Sequence, residues 1–261
     1  MATRKPARAS VRRKLWIFDF DNTIARLEPE VDWAGGRREL EPMLRELGVP
    51  DDLFEKFPRG NLPLYAGMRT RLLELSHDRA SGFDTVRVRS ILNSASRMIE
   101  KYEMAGVERA RPLEGAIDLL DQLKVSGAML AIVTSNSSRV IRRWFATHRR
   151  ARALSAIVGR DSLLALKPSV EMIARALERC GIGAKDARFV GDADSDYLAA
   201  TAAGLEFFGI AFSQNLRDKL VAAGADRIFA SPAALGVHLN LLNPPEIASG
   251  NDAEARTSHR T

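Results

Sequence analysis

Short apolar runs alternate with longer segments of helical periodicity along most of the chain. Each run ends at polar or glycine-containing sequence, which is the pattern of a buried strand. Predicted strands cover residues 15–18, 129–133, 156–158, 188–190 and 206–210. Helical periodicity separates them at 112–124, opened by a proline, at 169–180, and at 195–203, closed by Gly204. Strands that alternate with helices predict an α/β fold with a doubly wound parallel sheet.

The strand signal nearly disappears between residues 24 and 111. Helical periodicity replaces it over residues 37–47, 51–57, 68–75 and 85–105, with a turn-rich connector at 57–63. Arg111 and Pro112 mark the return to the sheet. We therefore predict a helical domain at 26–110, inserted into a sheet domain that consists of residues 14–25 and 111–240.

Composition places the chain among globular proteins. It has 261 residues, of which 46% are hydrophobic and 28% charged, and this balance excludes collagen, coiled coils and wholly disordered chains. The net charge is +6, but six of the 39 basic residues precede the first acidic one, and the others balance the 33 acidic residues. Residues 1–13 are thus predicted to be a solvated, disordered basic tail, with a weak tether to nucleic acid or an anionic surface as the alternative. Residues 241–261 lack apolar periodicity and are also predicted to be disordered.

The location of the protein follows from what its sequence lacks. No stretch reaches the roughly 18 apolar residues that cross a bilayer, and residues 1–14 have no apolar signal core. We expect a cytoplasmic protein without a membrane partner. Cys180, the one cysteine, cannot form an internal disulfide and is predicted to be a buried, inert thiol at a helix end.

Two carboxylates follow the first predicted strand. Asp19 and Asp21 are one residue apart, so an extended chain directs both to the same side. Ligand sites of open parallel sheets lie at such carboxyl ends of strands. Two anions at this spacing resist ionising together. The alternative for this segment alone is a loop in which the aspartates cap a following helix.

A second acidic group follows the strand at 188–190. Asp192, Asp194 and Asp196 stand within five residues, and three carboxylates repel one another unless a cation lies among them. Oxygen-only ligands favour magnesium. If the ends of the two strands adjoin, the combined acids need a divalent ion and a fixed basic side chain.

Two weaker signals supply partners for such a site. Lys167 precedes a proline at the carboxyl edge of the sheet, although a surface lysine is the usual interpretation of an isolated residue. Residues 134–137, with the sequence Thr-Ser-Asn-Ser, follow the second predicted strand and offer hydroxyl, amide and backbone donors suited to a phosphate.

Together the four segments closely resemble the motifs of the haloacid dehalogenase superfamily of aspartate-nucleophile phosphohydrolases. They occur in the order Asp-x-Asp-x-Thr, strand-terminal Thr, Lys-Pro and Gly-Asp-x-x-x-Asp. The resemblance covers residues 14–24 and 111–239 and implies a Rossmann-like core. The helical insertion looks like the first-type cap of that superfamily, as in members similar to phosphoglycolate phosphatase.

The resemblance implies catalytic and phosphate-binding roles. Asp19 would be the nucleophile that forms an aspartyl-phosphate. Asp21 would protonate the leaving oxygen and then activate water. Thr134, assisted by Ser135 or Asn136, would hydrogen-bond the transferring group. Lys167 would offset the negative charge of nucleophile and phosphate.

The same resemblance implies a Mg²⁺ site. Asp19, the backbone carbonyl of Asp21 and Asp192 would hold the ion. Asp196 would bind it through water or orient Lys167. The expected function is a magnesium-dependent phosphatase acting on a small-molecule phosphomonoester.

Asp21 also discriminates among the reactions of the superfamily. Enzymes similar to true dehalogenases lack an acid at this position, and transport ATPases carry Lys-Thr, so both become poor matches. A phosphonate-cleaving enzyme needs a cap lysine, for which Lys56 and Lys101 are available, although a surface role suits each better. A sugar phosphomutase stays open, because it differs from a phosphatase in how the cap excludes water.

The remaining alternatives concern the substrate and partners. The basic tail keeps open an enzyme that removes terminal phosphates from nucleic acid, and a non-catalytic binding protein is disfavoured by the intact motifs. Arg59, His77 and Trp33 are candidates for facing a substrate, although surface or core positions are the default for them. The oligomeric state is left open.

Overall fold

The computed structural model describes residues 14–148 and 154–244. The strands in this part of the chain are β1 (Leu15–Phe18), β2 (Ala25–Arg26), β3 (Arg111–Pro112), β4 (Met129–Val133), β5 (Ala156–Val158), β6 (Ala187–Gly191), β7 (Glu206–Ile210) and β8 (Ile228–Phe229). The helices are α1 (Trp33–Glu46), α2 (Asp52–Lys56), α3 (Asn61–Leu75), α4 (Thr85–Gly106), α5 (Ala116–Val125), α6 (Ser138–Thr147), α7 (Glu171–Cys180), α8 (Asp194–Ala202), α9 (Gln214–Ala223) and α10 (Pro232–His238).

Six of the strands form one parallel sheet in the order β5-β4-β1-β6-β7-β8. The order reverses direction at β1, which pairs with β4 on one side and β6 on the other. All five predicted strands lie in this sheet. The predicted α/β class with a doubly wound parallel sheet is therefore confirmed.

Strand β1 shows why these runs are apolar without interruption. Leu15 and Ile17 belong to the hydrophobic cluster on one face of the sheet, and Trp16 and Phe18 belong to the cluster on the other. All four side chains are at most 2% exposed. Because helices cover both faces, a parallel strand has no solvent side and no polar alternation.

Helices α1 to α4 leave and rejoin the sheet through a short antiparallel ribbon. In this ribbon, β2 pairs with β3, so that Ala25 lies opposite Pro112 and Arg26 opposite Arg111. The inserted helices pack on one another, with α4 in contact with both α1 and α3. Their buried side chains also join one of the two clusters of the sheet. The division into a core domain and a cap domain at the predicted boundaries stays a prediction.

Several predicted boundaries are wrong for local reasons. Pro112 does not open a helix but lies in β3, and α5 begins at Ala116 after Gly115, whose φ is +69°. Residues 61–63, assigned to the connector, form the first turn of α3, where Pro63 needs no helical amide partner. Helix α7 begins at Glu171 rather than at residue 169.

The C-terminal part of the described chain contains elements that the sequence did not predict. Strand β8 and helices α9 and α10 complete the sheet domain and were not predicted. Leu241 and Leu242 donate backbone hydrogen bonds to the Gly236 carbonyl, so the ordered chain passes residue 240. The predicted tails at 1–13 and beyond 244 lie outside the described residues.

Two remaining expectations concern the thiol and the membrane. Cys180 ends α7 and is partly rather than fully buried, and burial raises the pKa of its thiol, which disfavours the reactive thiolate. Within residues 14–148 and 154–244, no helix has the length and apolar character that crossing a membrane requires.

The central strand should dominate stability. Ile17 is fully buried in β1, so Ile17→Ala should lower the free energy of unfolding by about 3 kcal/mol through lost transfer energy and a residual cavity. Val86→Ala, at a side chain that is 78% exposed, is the control and should change it by less than about 0.5 kcal/mol. Urea denaturation measures both, and equal effects would contradict the packing described here.

Candidate active site

Three adjacent strands bring the predicted motifs together. Strands β4, β1 and β6 are neighbours in the sheet, and Thr134, Asp19 and Asp192 each directly follow one of them. The Asp19 amide donates to the Val190 carbonyl at 2.9 Å, which continues the pairing of β1 with β6 by one residue. The site therefore lies at the carboxyl edge of the sheet, where the strand order reverses.

Lys167 joins two of these acids. Its Nζ lies 2.6 Å from Asp19 Oδ1 and 2.5 Å from Asp196 Oδ1, and it also donates to the Val133 carbonyl at 3.3 Å. The side chain is only 5% exposed. Burial opposes the charged ammonium, but the two carboxylates outweigh it and raise the pKa of Lys167 above its ordinary value. The lysine is therefore a buried, fixed positive charge rather than a surface residue.

Asp196 is held by the start of α8. Its Oδ2 accepts hydrogen bonds from the amides of Asp192 and Ala193, at 3.2 and 3.1 Å. Gly191 allows this contact, because a Cβ there would lie 2.4 Å from Asp196 Oδ2. Burial raises the pKa of Asp196 to about 6, although the attraction of Lys167 opposes the shift. The glycine of the Gly-Asp motif thus makes room for a carboxylate.

The carboxylates of Asp19, Asp192 and Asp196 form a cluster whose ligand oxygens lie within 4.8 Å of one another. Thr23 Oγ1 donates to Asp192 Oδ1 at 3.2 Å, so the cluster also connects to the loop after β1. Burial, together with the charges of Asp196 and Asp19, raises the pKa of Asp192 well above its ordinary value. Buried oxygen ligands that resist joint ionisation suit a hard divalent cation.

Asp21 is not one of the three residues of this cluster, and its side chain has backbone partners of its own. Its Oδ1 accepts from the backbone amides of Leu27 and Glu28 at 2.8 and 3.0 Å, which fix its orientation. Burial raises its pKa to about 7 despite these hydrogen bonds, and the charge of Asp19 adds to the increase. A carboxyl group with this pKa can both donate and accept a proton near neutral pH.

The loop after β4, the strand next to β1, contains the predicted phosphate-binding residues. Thr134 is buried, and its Oγ1 donates to Asn136 Oδ1 at 3.0 Å. Ser135 is half-buried, and its carbonyl accepts from the Arg160 guanidinium at 2.8 Å. The side-chain nitrogen Nδ2 of Asn136 donates to Glu103 Oε1 at 3.0 Å. Both polar atoms of the Asn136 side chain therefore have partners within the protein.

Comparison with known families decides the family of this chain. Residues 69–210, more than half of the chain, match the family model described as haloacid dehalogenase-like hydrolase. The chain belongs to the haloacid dehalogenase-like hydrolases. The family and the enzyme class predicted from the motifs, a phosphohydrolase, are thereby confirmed. The matched region contains Thr134, Lys167, Asp192 and Asp196 and begins after Asp19.

Individual relatives of this hydrolase have phosphatase names. The chain is 26% identical to phosphoglycolate phosphatase 1 of Pseudomonas aeruginosa over 217 residues, which is 82% of this chain and 75% of the relative. Its fold resembles that of a predicted phosphoglycolate phosphatase from Haemophilus somnus, with a TM-score of 0.59 and 19% identity. The match covers 90% of this chain and 100% of the other. The fold also resembles that of CbbY from Rhodobacter sphaeroides in complex with phosphate, with a TM-score of 0.58 and 22% identity. That match covers 86% of this chain and 96% of CbbY.

Two buried residues of this hydrolase were missed by the sequence analysis. Glu103 of α4 and Arg160 are both fully buried and form a bidentate ion pair, with nitrogen–oxygen distances of 2.8 and 2.9 Å. The signal for Glu103 was available, since it continues the buried helical face that includes Leu92, Ala95 and Ile99. A charged residue at such a position requires a buried partner.

Other residues predicted as candidates are not members of the cluster. Asp194 is exposed, and so are Arg59 and His77 in the inserted helical segment. Trp33 is half-buried and donates to the Glu28 carbonyl at 3.1 Å. The two cap lysines considered for Schiff-base chemistry, Lys56 and Lys101, are exposed.

The acidic cluster predicts an unusual pH dependence of stability. Because the pKa values of Asp21 and Asp196 are raised to about 7 and about 6, these two carboxyl groups bind more protons in the folded metal-free protein than in the unfolded chain between about pH 4 and 7. The melting temperature in EDTA should therefore fall as pH rises through this window, or rise less than it would if both pKa values were ordinary. Asp21→Asn removes one such group and should make the slope more positive, and an unchanged slope would contradict the assignment.

The contact between Gly191 and Asp196 predicts a sharp difference between two glycines. Gly191→Ala should displace Asp196 and lower both metal affinity and stability, the latter by about 1–3 kcal/mol. Gly183→Ala is the matched control, because no atom lies within 4 Å of the added Cβ and φ is −78°. Calorimetric titration with Mg²⁺ and thermal melts compare the two. Equal metal affinities would refute the steric argument.

Proposed function

We propose that this hydrolase is a magnesium-dependent phosphatase that hydrolyses a small-molecule phosphomonoester through an aspartyl-phosphate on Asp19. The observation that carries the proposal is the position of Lys167 Nζ between Asp19 and Asp196, with Asp192 in the same cluster of ligand oxygens. This arrangement supports the proposal, because it brings a carboxylate, a fixed positive charge and oxygen donors suited to a cation to one point.

In the first step, an Asp19 carboxylate oxygen attacks the phosphorus atom of the ester. A bond forms between that oxygen and phosphorus, and the bond from phosphorus to the leaving oxygen breaks. Asp21 donates its proton to that oxygen, so that an alcohol leaves. Its pKa of about 7 supports this role, because a substantial fraction of the side chain is protonated near neutral pH.

In the second step, water attacks the phosphorus atom of the aspartyl-phosphate. Asp21, now ionised, accepts a proton from the water, and the oxygen–phosphorus bond to Asp19 breaks. Inorganic phosphate leaves, and both aspartates return to their initial states. The two backbone amides on Asp21 Oδ1 hold one orientation of this carboxyl group for both proton transfers.

The remaining residues stabilise charge on the transferring group. Ser135 and Thr134 would donate hydrogen bonds to its oxygens, Thr134 by turning its hydroxyl from Asn136 Oδ1 to the phosphoryl group. Lys167 offsets the charge that nucleophile and phosphate share. Asp19, the backbone carbonyl of Asp21 and Asp192 would hold Mg²⁺, with Asp196 in support. When bound, the ion supplies the positive charge that lets these carboxylates and a phosphate share one site.

The names of the relatives support a small phosphorylated acid as the substrate. Phosphoglycolate is the first compound to test, and sugar phosphates belong in the same panel. A phosphomutase uses the same first step and then returns the phosphoryl group to a sugar. The fate of that group, free phosphate or a phosphorylated isomer, therefore distinguishes the two enzymes.

The decisive measurement is phosphate release from an aryl phosphate and this panel, with Mg²⁺ or with EDTA. Asp19→Asn should reduce release to background, because the amide is a poor nucleophile, and Asp21→Asn should reduce kcat about 10²–10⁴-fold. EDTA should abolish release by the wild type.

Asp194→Asn provides the matched control. It removes an exposed carboxylate from the same acidic motif and should leave kcat within about twofold of the wild type. Release that persists in Asp19→Asn would contradict the covalent mechanism. No release from any compound, together with isomerisation of a sugar phosphate, would replace the phosphatase with a mutase.

A further inference from the structure

The loop that would bind phosphate, residues 134–137, forms hydrogen bonds with buried groups outside the predicted motifs. The Asn136 carbonyl accepts from the Arg160 amide at 2.9 Å, and the Ser135 carbonyl accepts from its guanidinium at 2.8 Å. The Ser137 amide donates to Glu103 Oε2 at 3.2 Å. Three successive residues of the loop therefore each have a backbone group fixed by Glu103 or Arg160.

Both members of this pair use their full hydrogen-bonding capacity. Each Glu103 oxygen accepts from Arg160, and in addition Oε1 accepts from Asn136 and Oε2 from Ser137. The guanidinium makes its other contacts with the Ser135 carbonyl and with Ser96 of α4, whose hydroxyl and carbonyl both accept at 3.3 Å. A fully connected network of this kind permits one arrangement of the groups that it holds.

The network also reaches the hydroxyl that would contact phosphate. Glu103 accepts from the side-chain nitrogen Nδ2 of Asn136. This contact directs the side-chain oxygen Oδ1 of Asn136 to Thr134. The Asn136 oxygen then accepts from Thr134 Oγ1 at 3.0 Å. Glu103 lies on an inserted helix, so a helix of the insertion fixes the acceptor to which the Thr134 hydroxyl donates.

We infer that Glu103 and Arg160 form a positioning pair, which sets the geometry of the phosphate-binding loop 134–137. The inference rests on the proposed function, because it assigns this loop to the phosphoryl group. Neither residue touches the reacting atoms. Their effect is transmitted through the Ser135 and Asn136 carbonyls, the Ser137 amide and the Asn136 side chain.

Replacement of the pair by apolar residues separates positioning from stability. Either Glu103→Leu or Arg160→Met alone leaves a buried charge unpaired and should lower the melting temperature strongly. The double variant Glu103→Leu/Arg160→Met removes both charges and should recover much of that loss. It should still bind inorganic phosphate at least about tenfold more weakly in the presence of Mg²⁺, and kcat/KM should fall by a similar factor.

Ile99→Ala is the matched control for a destabilised α4. Ile99 is buried on the same helix one turn before Glu103, and its truncation should lower the melting temperature without weakening phosphate binding. Calorimetry with inorganic phosphate provides a readout that does not require turnover. A double variant with wild-type phosphate affinity and kcat/KM would overturn the inference and leave the pair a purely structural role.

The same experiment keeps the two proposals distinguishable. If the wild type binds phosphate but hydrolyses no ester, the proposed function fails, and the phosphate affinities still decide the positioning role. If the wild type binds no phosphate, the loop is not a phosphate site and the inference is wrong. Tenfold weaker binding by the double variant, with near wild-type stability, supports it.

Discussion

The site depends on the repulsion among carboxylates that the fold places at one edge of its sheet. Asp19, Asp192 and Asp196 are buried within reach of a single cation, and Lys167 contacts two of them. Isolated buried charges are costly, so such a cluster persists only where opposite charge or protonation balances it. The raised pKa values of Asp192 and Asp196 express that imbalance. The same imbalance makes the site attractive to a divalent cation.

The sheet supplies the rigidity that this cluster requires. Three of the site residues, Asp19, Asp192 and Thr134, directly follow buried strands, so the parallel register of β4, β1 and β6 fixes their backbone positions. The polar side chains then need short supports only. Backbone amides orient Asp21 and Asp196, and Thr23 donates to Asp192. The rigid scaffold and its flanking hydrogen bonds together preorganise the site.

The inserted helices make polar contacts with two of the segments that carry site residues. Helix α4 carries Glu103, which contacts the loop after β4 both directly and through Arg160. A second contact from the insertion is made by Arg69 of α3, which donates to the Leu163 carbonyl and to Glu171 near the segment that carries Lys167. The insertion and the two loops are thus linked by polar contacts as well as by the shared hydrophobic cluster.

The sequence by itself determined the class of the fold and the residues of the central cluster. Doubly buried strands give continuous apolar runs, and Asp19, Asp192 and Lys167 occur in local motifs that need no distant contact to recognise. Local rules failed where tertiary pairing competed with them, as at Pro112, which pairs in a ribbon instead of opening a helix. Only the tertiary structure brought Glu103 to Arg160, 57 residues later in the chain. A buried ion pair depends on which face of a helix packs against which loop, and short-range periodicity does not determine that packing.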